Sequence, residues 1–97
     1  MKVYRLLTMG GFRPGNGVCP DTVYGIPVQQ QPRGARFLLY RRKNGHPVSL
    51  SDMDIPWVFF WEEVEEVSPE VLAGSGWILP PEKDVERRVL EFGGRLI

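Results

Sequence analysis

A chain of 97 residues, 42% of them hydrophobic, has enough apolar side chains for one packed core and is too short for two domains. It has no run near the roughly 18 apolar residues that span a bilayer, so we expect no association with a membrane. The single cysteine excludes an internal disulfide framework and favours a reducing compartment, so we expect a cytoplasmic protein, or one within an assembled particle.

The charge is balanced overall but unevenly distributed. Residues 1–51 carry eight basic side chains and one acidic one, a net charge of +7, whereas residues 52–97 carry four basic and eleven acidic ones, a net charge of −7. An overall charge of zero is untypical of nucleic-acid-binding domains. The polarity favours pairing between basic and acidic segments, within one chain or between chains.

The first part of the chain predicts a strand followed by an extended arm. Apolar side chains alternate over both faces of residues 2–9, as in a covered strand. Residues 10–34 then contain six glycines and four prolines, which leave room for only a brief strand at 22–24 or 27–30. Because long irregular loops are uncommon in compact domains, we interpret 10–34 as an arm that becomes ordered against another molecule.

The clearest local signal is a β-hairpin. A strand-like run over 36–42 is followed by Asn44-Gly45 and by a second run over 47–51. Asn and Gly both tolerate positive φ, so the pair predicts a type I′ turn. Pro47 has no N–H to donate to a sheet, so the return strand is predicted to be short or at an edge.

The aromatic run after residue 55 fits two structures. Trp57 to Trp61 has high strand propensity, yet the apolar positions over 55–67 also follow helical spacing, with glutamates on the opposite side. The prediction adopted is a strand over 57–61 followed by a short turn of helix over 62–66. The alternative is one continuous helix over 55–67.

The last third of the chain predicts two helices. Ser68-Pro69 is a strong helix start, with Ser as N-cap and Pro at the first helical position, and the glycines at 74 and 76 end that helix. Residues 77–79 predict a short apolar strand. A helix over 82–92 follows, with acidic residues in its first turn and Gly93 after its end.

Together these elements predict a single domain over 1–97 that is mainly β, a small sheet or partly open barrel with a C-terminal α-helix. The alternative helix at 55–67 would make the fold α+β. The predicted strands are 2–9, 36–42, 47–51, 57–61 and 77–79.

The sequence contains no catalytic, cofactor-binding or metal-binding motif. Cys19 and His46 lie in the arm and in the hairpin turn, with no third group to orient them. One Cys and one His are too few for a structural zinc site. The glycines over 10–17 lack the Lys and Ser or Thr of a phosphate loop. We therefore predict no enzyme, no cofactor and no metal.

These observations favour a non-enzymatic protein-interaction or assembly module. Its partner would be another protein or a copy of itself, as in a structural or accessory component of a viral or mobile-element particle. In such a homo-oligomer, the basic hairpin of one subunit would meet the acidic run of the next. The predicted interaction residues are Arg36, Arg41, Arg42, Lys43, Trp57, Trp61, Glu62, Glu63, Glu65 and Glu66.

Two other functions fit parts of the pattern. The hairpin over 36–46 interleaves arginines with aromatic residues, which is typical of surfaces that neutralise phosphates and stack bases. Alternatively, the acidic second half would allow the chain to inhibit a host protein by occupying a basic site.

Overall fold

The computed structural model describes residues 1–7, 23–50 and 56–97. In these ranges the chain is mainly β with a helix near the C-terminus, so the predicted fold class is confirmed. The strands are β1 Tyr4–Leu6, β2 Val23–Gln31, β3 Gly34–Lys43, β4 His46–Ser49, β5 Trp57–Phe60 and β6 Val64–Glu66. The helices are α1 Pro69–Ser75 and α2 Glu82–Glu91, and a 3-10 turn over Trp61–Glu63 joins β5 to β6.

The strand order brings two edges of the antiparallel sheet near each other. Strands β4, β3, β2, β1 and β6 are neighbours in that order, and β5 pairs with β3 beside β4. Strands β5 and β6 thus lie on opposite sides of the β3–β2–β1 unit, although only Trp61–Glu63 separates them in the chain. A flat sheet does not allow so short a connection, so the sheet curls.

The curl encloses an inner core. Phe37 on β3 is fully buried there. Its ring makes edge-to-face contacts with centroid distances of 5.7 Å to Tyr4, 6.1 Å to Phe59 and 5.8 Å to Trp61. The buried members of this core are Leu6, Val23, Ala35, Phe37, Leu39, Phe59 and Val64. Every other residue of β3 points to this side, which is the inner face of the sheet.

The helices cover part of the opposite, outer face. There Leu38 and Tyr40 of β3 pack against α2, whose Val85 and Val89 lie four residues apart and so share one side of the helix. The buried members of the outer core are Val3, Tyr24, Ile26, Val28, Leu38, Tyr40, Leu72, Trp77, Val85 and Val89.

The predicted turn and helix ends are confirmed by backbone geometry. Asn44 and Gly45 have φ of 53° and 81°, as a type I′ turn requires. The Ser68 hydroxyl accepts the Val71 N–H at 3.3 Å and caps α1. Gly93, just past α2, has φ of 71°, and its N–H bonds to a carbonyl in the last turn.

The C-terminal segment bonds to β2 through its backbone. Arg95 donates its N–H to the Val28 carbonyl at 2.8 Å, and Ile97 donates to the Pro27 carbonyl at 3.4 Å. A Cβ at Gly94 would lie 2.5 Å from the Val28 carbonyl oxygen. Glycine is therefore required for the segment to approach β2 this closely.

The structure corrects the prediction of an arm in its second part. Residues 23–34 form β2 and the turn into β3, and Val23, Ile26 and Val28 are buried. Pro27 is tolerated because its carbonyl accepts from Ile97 and so faces away from β3, which means that the N–H it lacks is not needed for the β3 ladder. Residues 10–22 lie outside the described residues.

Three other predicted elements differ from the structure. Residues 77–79 form no strand, because Trp77 inserts into the outer core and Ile78 bonds to the hairpin turn through the Gly45 carbonyl. The predicted helical turn over 62–66 is a 3-10 turn over Trp61–Glu63 followed by β6. The alternative of one helix over 55–67 is wrong for 56–67, where β5 pairs with β3, a 3-10 turn follows, and β6 pairs with β1.

Candidate functional site

The most exposed apolar segment of the sheet is β5 with the first residue of the 3-10 turn. Trp57 is 43% exposed, Val58 49%, Phe60 46% and Trp61 36%. We call these four residues the β5 patch. With side chains of about 150–250 Å², they expose roughly 350 Å² of largely apolar surface. An exposed apolar patch of this size, here within five consecutive residues, is often an interaction site.

The β5 patch lies on both faces of the strand. Val58 is paired with Arg36 of β3 and Phe60 with Gly34, so both side chains lie on the outer face, beyond the area that the helices cover. Trp57 is paired with Phe37 and shares its inner face. A strand that is apolar on both faces is typical of the middle of a sheet, yet β5 has a strand partner on one side only among the described residues.

The backbone of β5 has hydrogen-bonding groups on its open side. The Trp61 N–H donates to the Arg33 carbonyl at 2.9 Å, so in this antiparallel ladder the odd-numbered residues of β5 bond to β3. The N–H and C=O of Val58 and Phe60 therefore point away from the sheet. The Phe60 N–H donates to Glu63 Oε1 at 2.9 Å, so the Glu63 carboxylate occupies part of this edge.

The edges at β4 and β6 are protected by other means. On β4, Pro47 lies at a position that faces away from β3 and supplies no N–H. Strand β6 has only three residues and ends in two exposed glutamates, Glu65 and Glu66. Short length, proline and charge are ordinary ways of preventing sheets from joining edge to edge.

The predicted basic residues lie along β3 in different environments. Arg42 is half-buried and donates from Nη1 to the Ser75 carbonyl at 2.6 Å. Arg36 is half-buried beside the β5 patch, and its buried Nε has no hydrogen-bond partner among the described residues. Arg41 and Lys43 are exposed near the hairpin turn.

The predicted glutamates are largely engaged by their own chain. Glu65 forms an ion pair with Arg5 across β1 and β6. Burial, together with the nearby Glu66 carboxylate, raises the pKa of Tyr4 above its usual value. Glu62 is exposed.

The glutamate run lies far from the turn end of the basic hairpin. Glu62 and Glu63 follow Phe60, which lies opposite Gly34 at the start of β3. Lys43 is at the other end of this ten-residue strand, roughly 30 Å away at 3.3 Å per residue. The glutamates instead find their partners on β1 and in the backbone of β5.

Two clefts in the described part of the chain lie next to the sheet. One of about 250 Å³ lies beside the Arg5–Glu65 ion pair, and a larger, open groove separates the end of β2 from residues 93–97. Neither is lined by Cys or His. Among the described residues, no three side chains of His, Cys, Asp or Glu cluster as metal ligands would, and no helix is both long enough and apolar enough to cross a bilayer.

Sequence reasoning identified two of the four patch residues. It named Trp57 and Trp61 and missed Val58 and Phe60, because exposure depends on which strand lies at an edge. The missed signal is the unbroken apolar run Trp57–Trp61 ending directly at glutamates, which is compatible with an edge strand that is apolar on both faces. Cys19 lies outside the described residues, and His46 is exposed at the start of β4.

No protein-family model, curated protein or solved structure matches this chain.

Proposed function

We propose that the chain is a non-enzymatic protein-interaction module that assembles with copies of itself through the β5 patch. The observation that carries this proposal is an edge strand that is apolar and exposed on both faces. Burying such surface is the main driving force of association. Aromatic residues, which make up three of the four patch side chains, are enriched in protein interfaces.

The surroundings of the patch favour a protein over a nucleic acid as its partner. Glu62 and Glu63 follow the patch directly, and their carboxylates repel phosphates. The exposed cations Arg41 and Lys43 lie toward the far end of β3 from Phe60, which leaves Arg33 and the half-buried Arg36 as the basic groups near the exposed aromatic rings. Base stacking needs basic groups and aromatic rings along one groove.

The dimensions of the patch also fit self-association. A stable interface buries about 800 Å² on each partner, and the β5 patch supplies roughly half of that as its apolar centre. When a second copy docks with the same surface, both patches are buried in one event. Arg33 and Glu62 at the border are exposed and of opposite sign, as expected for the polar rim of an interface.

Phe60→Asp tests this function without opening a core, because Phe60 is 46% exposed. A carboxylate in the middle of the apolar contact has to be desolvated on association. We expect the mass of the wild-type protein, measured by sedimentation velocity, to rise with concentration, and that of Phe60→Asp to stay at the monomer value. Leu90→Asp on α2, 76% exposed, is the matched control and should behave as wild type.

The salt dependence of association distinguishes self-association from nucleic-acid binding. Self-association through an apolar patch should persist at high salt, whereas binding of a labelled single-stranded oligonucleotide should fall steeply with salt. A wild type that stays monomeric at every concentration, or a Phe60→Asp that associates like wild type, contradicts the proposal. Salt-sensitive oligonucleotide binding by a monomer would favour the nucleic-acid alternative instead.

A further inference from the structure

The open edge of β5 is partly closed by the chain's own carboxylate. A strand added to this edge would bond to the Val58 N–H and C=O and to the same groups of Phe60. The position of one incoming carbonyl is already taken by Glu63 Oε1, 2.9 Å from the Phe60 nitrogen. The Val58 N–H has no such acceptor among the described residues. Within the described part of the chain, the edge is therefore open at Val58 and blocked at Phe60.

The 3-10 turn holds Glu63 in this position. Glu63 is three residues after Phe60, so its side chain folds back over one turn to reach the Phe60 N–H. The turn is fixed at both ends, by Phe60 on β3 and by Val64 on β1. Withdrawal of the carboxylate thus needs only a side-chain rotation, and the sheet keeps its pairing.

We propose that the Glu63 carboxylate is a latch on the β5 edge and that, when it withdraws, a second copy adds its own β5 antiparallel to the first, with Phe59 facing Phe59 across a two-fold axis. This inference rests on the proposed function and specifies how the two copies meet. In this register Val58 of each copy lies opposite Phe60 of the other, so the Val58 carbonyl replaces Glu63 as the acceptor for the Phe60 N–H.

The side chains of the second copy complement the first in this register. On the outer face, four side-chain positions line up across the joined sheets. Arg36 and Val58 come from the first copy, and Phe60 and Gly34 come from the second. Gly34 has no side chain, which leaves space beside that ring. The guanidinium of Arg36, whose Nε lacks a partner among the described residues, then lies near the face of the second copy's Phe60, a favourable cation–π arrangement.

Glu63→Ala removes the latch and tests its role. We expect the dimer dissociation constant, measured by sedimentation velocity, to fall about tenfold or more, since two cross-strand hydrogen bonds become available. Glu63→Gln keeps an acceptor oxygen for the Phe60 N–H and should remain within a few-fold of wild type. Circular dichroism checks that both variants are folded.

Val58→Pro tests the strand pairing itself. Because the Val58 N–H points away from β3, proline removes the outward donor and leaves the β3–β5 ladder intact. In the Glu63→Ala background we expect Val58→Pro to abolish the gain in association and Val58→Thr, which keeps the N–H, to preserve it. Hydrogen exchange at the Val58 amide should slow as concentration rises.

The outcomes separate this inference from the proposed function. If Phe60→Asp abolishes wild-type association and Glu63→Ala changes nothing, the latch is overturned and the assembly function stands. If Glu63→Ala strengthens association equally with and without Val58→Pro, strand pairing is overturned. If only Glu63→Ala associates and the wild type stays monomeric, the latch stands and the assembly function is overturned.

Discussion

Single residues with special backbone angles were predictable where the residue type itself selects the conformation. Asn44 and Gly45 adopt positive φ in the hairpin turn as expected, because both tolerate that region. Arg33 also has a positive φ, 62°, and was not predicted. Nothing in an arginine side chain favours this conformation, so it is imposed by the two-residue turn that brings Gly34 opposite Gln31.

Gly45→Ala should destabilise the fold through its backbone. Gly45 has φ of 81°, and an added Cβ would lie 3.0 Å from the Gly76 carbonyl oxygen. The left-handed conformation costs an alanine about 1–2 kcal/mol, and the contact adds to this. We expect urea unfolding to show a loss of at least about 1 kcal/mol. Gly74→Ala in α1, whose Cβ would meet nothing within 4 Å, is the control and should be neutral or stabilising.

At the scale of elements, local sequence signals identified the strands of the hairpin and both helices. They did not show which side chains of a strand are exposed to solvent. The run Trp57–Trp61 was assigned to a strand, but whether its side chains are buried depends on neighbours far away in the sequence. Phe59 becomes buried by pairing with Ala35, while Phe60 on the other face remains exposed. The β5 patch was therefore only half predicted.

Ser68→Ala should weaken α1 at its N-terminus. The Ser68 hydroxyl satisfies the Val71 N–H, which lacks an acceptor inside the helix. We expect a loss of about 1 kcal/mol in the free energy of unfolding. Ser68→Asp keeps an acceptor at the N-cap and places a negative charge at the positive end of the helix, so it should retain most of the stability. Equal losses in the two variants would show that the cap bond contributes nothing.

At the scale of the whole molecule, composition led to an incorrect expectation for part of the chain. Glycine and proline over 10–34 were interpreted as an arm, but β2 begins at Val23 and lies in the centre of the sheet. Burial of the apolar side chains of Val23, Ile26 and Val28 offsets the conformational entropy that the glycines lose on folding. The pairing of β2 with β3 leaves no periodic sequence signal, because glycines and prolines interrupt the segment.

Buried Tyr24 and partly buried Tyr4 make stability depend on alkaline pH. Burial raises the pKa of Tyr24, against smaller opposing effects of Arg42, Ser75 and Arg5, and burial with Glu66 raises that of Tyr4. Below about pH 10 both folded and unfolded chains keep these protons. Above it the unfolded chain loses them first, so stability should fall as pH rises through the raised pKa values.

Tyr24→Phe checks this dependence by urea unfolding at about pH 9 and about pH 11. The ring and its contact with Trp77, at a centroid distance of 4.6 Å, are retained. We expect the variant to lose less stability than wild type between the two pH values. An equal loss would mean that Tyr24 does not contribute to the alkaline transition.

The three protected edges also limit how far assembly can proceed. Opening β5 leaves Pro47 on β4 and the short, acidic β6 unchanged, so the proposed pair joined through two β5 strands would offer no further open strand edge among β1–β6. The two-fold product is self-terminating. A variant without the latch should therefore accumulate as discrete dimers in solution, and its concentrated samples should remain clear and free of fibres.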